Sequence, residues 1–88
     1  MQQQQSGTPI NLTGSGAVSL AAGSLLGFYV NSTTAGTVVL RNGGAGGTAI
    51  SGTITPAIGW HRFPAYTPAG CYATFANVLD ATFFFAAG

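Results

Sequence analysis

Only three side chains in this chain of 88 residues offer a nucleophile, a base and a carboxylate: Cys71, His61 and Asp80, the sole residues of their types. A thiol activated by an imidazole, itself oriented by an acid, would perform acyl transfer. The spacing does not favour that chemistry. The three fall on separate predicted strands, none sits in a nucleophile motif, and the cysteine of "GCYAT" reads as a small, inert core residue. A single His, Cys and Asp cannot fill a four-ligand zinc site or a carboxylate-rich calcium site. The one metal arrangement left open is a symmetry axis to which each subunit supplies one His61. Glycoside hydrolysis needs two carboxylates and the chain has one acidic residue. The glycine run "NGGAGG" (42 to 47) lacks the Gly-Lys-Ser/Thr ending and following helix of a phosphate loop, and reads as a flexible hairpin tip. No catalytic residue, metal site or cofactor is expected.

The same scarcity of charge speaks about partners. Charged residues make up 3% of the chain and the net charge is +1, against roughly 25% charged residues in an ordinary soluble domain. A surface so poor in charge lacks the repulsion that keeps proteins apart, so the chain is expected to cover much of its exterior with other protein. Nucleic acid is not an expected partner, because no cluster of Lys or Arg could neutralise a phosphate backbone. The apolar run "AVSLAAGSLLGFYV" (17 to 30) falls short of the ~20 residues needed to cross a bilayer as a helix and has no flanking cation, so no membrane span is expected. "MQQQQSGTPIN" has no basic and apolar signal-peptide pattern and reads as a polar arm over 1 to 9. Without an export signal, "NLT" and "NST" are chance matches to a glycosylation sequon.

The elements that must position these residues read as strands. Gly, Thr, Ser and Ala dominate, and apolar residues recur at period two over short stretches punctuated by Gly, Pro and Asn. Strands are predicted near 10 to 13, 17 to 21, 25 to 31, 36 to 41, 48 to 55, 58 to 64, 71 to 76 and 79 to 86. Eight short strands suit an all-β antiparallel sandwich of jelly-roll type, one domain over 10 to 88. "NSTTAG" (31 to 36) and "TPAG" (67 to 70) are expected turns, the second of type I with Pro68 at its second position. Over 48 to 61 the even positions carry Ile50, Ile54, Ile58 and Trp60, an apolar face, with a break or sheet edge at Pro56. The C-terminal "VLDATFFFAAG" sets Leu79, Ala81, Phe83 and Phe85 on one face and Val78, Asp80, Thr82 and Phe84 on the other. Apolar residues on both faces imply a second surface meeting a neighbour, or an interior strand of a closed sandwich.

Within "GWHRFPAY" (59 to 66) alternation turns Trp60 inward, with Arg62 on the same side as the strand leaves the core and His61 on the opposite face. Trp and Arg are frequent interface hot spots, which makes Trp60, His61, Arg62 and Phe84 the subunit-interface candidates. Arg62 alternatively bonds local backbone carbonyls. Arg41, beside the glycine tip, is expected to be solvated.

The segments "LGFYVNSTTAGTVVLRNGGAGGTAISGTITPAIGWHRFP" and "CYATFANVLDATFFF" resemble the small β-sandwich virion proteins of tailed bacteriophages, over roughly 25 to 85. The resemblance implies a head decoration, or cement, protein on the capsid exterior, made in the host cytoplasm and assembled as a homo-oligomer, a trimer by the habit of that group. It implies the major capsid protein as partner. An arm carrying Gln2, Gln3, Gln4, Gln5, Ile10 and Leu12 would order on that partner by adding contacts or strand pairing. The alternative is a tail or fibre module that binds a host-surface glycan through Tyr29, Tyr66 or Tyr72.

Overall fold

Two long strands organise the molecule. In the computed structural model, which describes residues 8 to 87, β3 (Gly23–Asn42) and β6 (Cys71–Ala87) pair antiparallel along almost their whole lengths, from Gly23 opposite Ala87 to Asn42 opposite Cys71. Four short strands flank them: β1 (Thr8–Leu12), β2 (Gly16–Ser19), β4 (Thr48–Ala49) and β5 (Gly59–Thr67). β1 pairs with the C-terminal half of β6 and β5 with the N-terminal half of β3. β2 and β4 take the remaining halves. One half of the sheet therefore runs β1–β6–β3–β5 and the other β2–β6–β3–β4. The expected all-β, antiparallel class is what the chain adopts.

The sheet bends over on itself at mid-length. Phe75 and Phe83 lie on one strand, eight residues apart, which in a straight strand means about 26 Å. Their ring centroids are 6.0 Å apart. The bend sits where the backbone turns left-handed on both long strands, at Ala35 (φ 54) and Asn77 (φ 61). Two side chains hold it, through three hydrogen bonds. Asn77 Nδ2 donates to the Ala35 carbonyl at 2.8 Å, the Gly36 amide donates to Thr33 Oγ1 at 3.0 Å, and Thr33 Oγ1 donates to the Val78 carbonyl at 3.3 Å. Asn tolerates this conformation better than most residues because its short polar side chain bonds locally.

Alternation explains what the bend encloses. Odd positions of β6, namely Cys71, Ala73, Leu79, Ala81, Phe83 and Phe85, are buried, as are Leu25, Phe28, Val30, Val38 and Leu40 of β3 and Val18 of β2. These form one core, with Ile10, Leu12, Ile50, Ile54, Phe63 and Phe75 packed against it. Among the described residues Thr67 is the buried polar one, and its hydroxyl donates to the Gly23 carbonyl at 3.1 Å. The turn 67 to 70 forms as expected, with the Gly70 amide bonded to the Thr67 carbonyl at 3.2 Å.

Several expectations need correction. Eight strands become six because "NSTTAG" does not turn the chain: β3 runs through it, and β6 likewise runs through Asn77. The predicted strand 48 to 55 shrinks to Thr48–Ala49, because the Leu40 amide donates to Ser51 Oγ rather than to a backbone carbonyl and the ladder is interrupted. An isolated bridge between Val38 and Ile54 continues it. The expected arm ends earlier than residue 9, since Thr8 and Pro9 pair with Phe85 and Phe84. Ile10 and Leu12 are half-buried and pack on the chain's own core. Gln2, Gln3, Gln4 and Gln5 lie outside the described residues. Among the described residues no helix is long and apolar enough to cross a membrane; the apolar run 17 to 30 is divided between β2 and β3.

Candidate interaction face

The half-sheet β1–β6–β3–β5 turns its outer side to solvent, and the register shows what stands there. One row across the four strands reads Asn11, Thr82, Tyr29, Trp60; the next reads Pro9, Phe84, Gly27, Arg62. Side chains of one face recur every second residue along a strand, so Asp80 and Asn31 stand beside the first row. Trp60 and Tyr29 are 52% and 44% exposed, unusually open for large aromatics on a sheet.

Trp60 reverses the expected parity. Along β5, His61, Phe63, Ala65 and Thr67 face inward while Trp60, Arg62, Pro64 and Tyr66 face out. The alternation that starts at Ile50 and Ile54 is not carried to Trp60, because β4 ends at Ala49, only an isolated bridge at Ile54 follows, and the chain passes Gly59 at φ 127. Phe63 and Thr67, both turned to the interior, then fix the phase of β5. The indole is held in place by its neighbours: it meets Phe84 edge-on with centroids 5.4 Å apart, and it lies over Gly27, where a Cβ would come within 2.5 Å of the His61 carbonyl oxygen and 2.9 Å of indole carbons. Gly27→Ala is therefore expected to lift the indole off the sheet, press on the β5 backbone at His61 and destabilise the fold by about 1–3 kcal/mol, as overpacking does. Trp60 is the only tryptophan, so its emission reads the displacement directly; an unchanged emission maximum would show that the indole does not rest there.

Beside the aromatics lies an ordered polar group. Asn11 Nδ2 donates to Asp80 Oδ1 at 2.8 Å and Thr82 Oγ1 at 3.0 Å, and Asn31 Nδ2 donates to the same two oxygens at 3.2 Å each. Both amides land on one carboxylate oxygen, which leaves Asp80 Oδ2 outside these bonds.

The other residues singled out by type are placed elsewhere. His61 faces inward, stacked on Phe28 with centroids 5.2 Å apart, and its Nε2 donates to the Ala57 carbonyl at 2.7 Å. The sheet thus separates it from Asp80. Cys71 is buried. Arg41 is not simply solvated: Nε donates to Thr74 Oγ1 and Nη1 to the Gly47 carbonyl, both at 3.1 Å, which ties down the glycine tip. Of the four interface candidates, Trp60, Arg62 and Phe84 share the outer face and His61 does not. Of the three tyrosines, Tyr29 lies in it; Tyr66 stands opposite Ser24, further along β5, and Tyr72 belongs to the other half-sheet. Among the described residues no three His, Cys, Asp or Glu side chains gather in a metal-ligating group.

Burial pushes the Cys71 thiol up to about 11 from an ordinary 9.0. A group that stays neutral in the fold but ionises in the unfolded chain stabilises the fold below its unfolded pKa, and that contribution is lost as pH rises from about 9 through about 11. Urea midpoints of the wild type should thus fall more steeply across this window than those of Cys71→Ala. Equal slopes would mean that the thiol titrates normally in the fold.

The chain matches no family model, no curated protein and no solved structure. The chemistry of the outer face carries the functional reading.

Proposed function

We propose that the protein is a non-enzymatic virion component: a bacteriophage head decoration protein of jelly-roll type, binding the capsid exterior as a homo-oligomer and stabilising the assembled shell. The observation that carries this reading is an aromatic outer face, with Tyr29 and Trp60 exposed and Phe84 half-buried beside them, on a chain of which 3% is charged. Contiguous apolar surface on a soluble protein marks an interaction site. Leu20, Ile58, Tyr66 and Val78, 90%, 65%, 60% and 60% exposed, extend the apolar exterior beyond that face. The sequence resemblance to small phage sandwich proteins supplies the virion setting. A protein that binds only the assembled shell stabilises it by mass action, so particles stripped of this chain should lose their contents at lower temperature than decorated ones, and adding the purified chain back should restore the difference. Equal heat resistance would remove the cement role.

A tail or fibre module binding a host glycan is favoured by one observation, the ordered Asn11, Asp80, Asn31 and Thr82 group beside Tyr29 and Trp60. Sugar sites combine an aromatic platform with such polar side chains. Counting copies per particle separates the two readings, because a decorated head carries hundreds and a tail carries few.

A further inference from the structure

Two of the three charged side chains in the whole sequence stand on the outer aromatic face. Asp80 is the only acidic residue, and of the two arginines Arg41 is engaged with Thr74 and Gly47 in the other half-sheet, while Arg62 is exposed beside Trp60. Their positions follow from the register. Arg62 lies level with Gly27 and Phe84, two strands away from β6, and Asp80 lies four residues along β6 from Phe84. At ~4.8 Å between strands and ~3.3 Å per residue, the two backbones are about 16 Å apart, too far for an ion pair within one molecule. The midpoint of the line joining them falls on β3 at Tyr29.

This placement is self-complementary. We propose that the face pairs with the same face of a second copy about a two-fold axis lying in the interface, crossing the sheet at Tyr29 and perpendicular to the line from Arg62 to Asp80. Such an axis sets Arg62 of each copy over Asp80 of the other and Tyr29 against its own counterpart, with Trp60 and Phe84 enclosed and one ion pair at each end. An apolar centre ringed by polar contacts is the usual anatomy of a stable protein interface, and an isologous contact requires each patch to carry both members of every pair. Asp80 is prepared for the contact, since Asn11 and Asn31 fix the carboxylate through Oδ1 and leave Oδ2 for a guanidinium. The inference rests on the reading that the chain associates with itself, and it gives a dimer where the resemblance implies a trimer.

The test is a charge exchange in the purified chain, followed by sedimentation equilibrium. Arg62→Asp and Asp80→Arg, each alone, should weaken association about tenfold or more, since each faces two like charges across the axis. The double exchange R62D/D80R should bring the affinity back to near the wild-type value. Folding of each variant is checked by circular dichroism. Because Asp80→Arg deprives Asn11 and Asn31 of their acceptor, a second measurement uses the unaltered chain: on dilution through the dissociation constant, the emission of the sole tryptophan, Trp60, should shift to the red as the indole returns to water. Single reversals without effect, a double exchange that folds but does not restore association, or Trp60 emission independent of concentration would each overturn the proposal. So would a monomer whose Trp60 responds to neutral oligosaccharides, which would give the face to a glycan. None of these results bears on whether stripped particles lose heat resistance, so the pairing and the cement role fail separately.

Discussion

Phe83→Ala is expected to leave the chain unfolded or nearly so at physiological temperature. Phe83 is fully buried and touches Phe28 at 5.3 Å and Phe75 at 6.0 Å between ring centroids, so a single side chain joins both strands of the central pair and both sides of the bend. Truncating a buried phenylalanine to alanine costs about 3–5 kcal/mol through lost burial and the cavity left behind. Small domains hold about 5–15 kcal/mol in all, and a chain of 88 residues with no disulfide stands toward the lower end. At about 4–8 °C per kcal/mol for a domain of this size, the melting temperature should fall by at least about 12 °C. Phe83→Leu, which keeps most of the volume, should cost under half as much. A melting temperature for Phe83→Ala within a few degrees of wild type would mean that the two halves do not share this core.

Gly36→Ala is expected to be as damaging although it adds a single carbon. A Cβ at this position would collide with the Val78 carbonyl oxygen and come within 2.8 Å of Leu79 Cβ and Thr33 Oγ1. Two of these three obstacles are backbone or Cβ atoms at the bend, where no side-chain rotation gives relief. Either the bend opens or the Thr33 and Asn77 bonds that hold it are lost, at a cost of about 3 kcal/mol or more. Gly52→Ala is the control, because nothing lies within 4 Å of a Cβ there. Its chemical-denaturation midpoint should stay near wild type while that of Gly36→Ala falls sharply. Similar midpoints for the two would show that the bend is not built around Gly36.

Much of this architecture is legible in the residues because period-two alternation is a local consequence of the strand itself. Leu79, Ala81, Phe83 and Phe85 were separable from Asp80, Thr82 and Phe84 on that ground alone, and the structure buries the first set and leaves the second on the outer side. The turn at Pro68 and Gly70 was legible for the same reason, since its residues fix their own dihedral angles. The rest depends on contacts between residues that local alternation does not relate. "NSTTAG" has the composition of a turn, yet Thr33 spends its hydroxyl on Gly36 and Val78, and the strand bends without ending. Alternation from Ile54 predicts an inward Trp60 only if parity carries across 55 to 58, and that segment is not a strand. Arg41 looks solvated in sequence because Thr74 is brought to it only by the pairing of β3 with β6, and Gly47 only by the folding back of the glycine tip. The outer face was legible in part: Trp60, Arg62 and Phe84 were singled out together, whereas Asn11 and Asn31 join Asp80 only through strand register.

Coverage of the outer face by protein is measured most directly by the mass of the purified chain at equilibrium beside that of Trp60→Ser/Tyr29→Ser. The wild type should sediment at a multiple of 8.8 kDa, and the double substitution should sediment as a folded single chain. A wild-type chain that remains at 8.8 kDa up to its solubility limit, with or without the substitutions, would contradict the account.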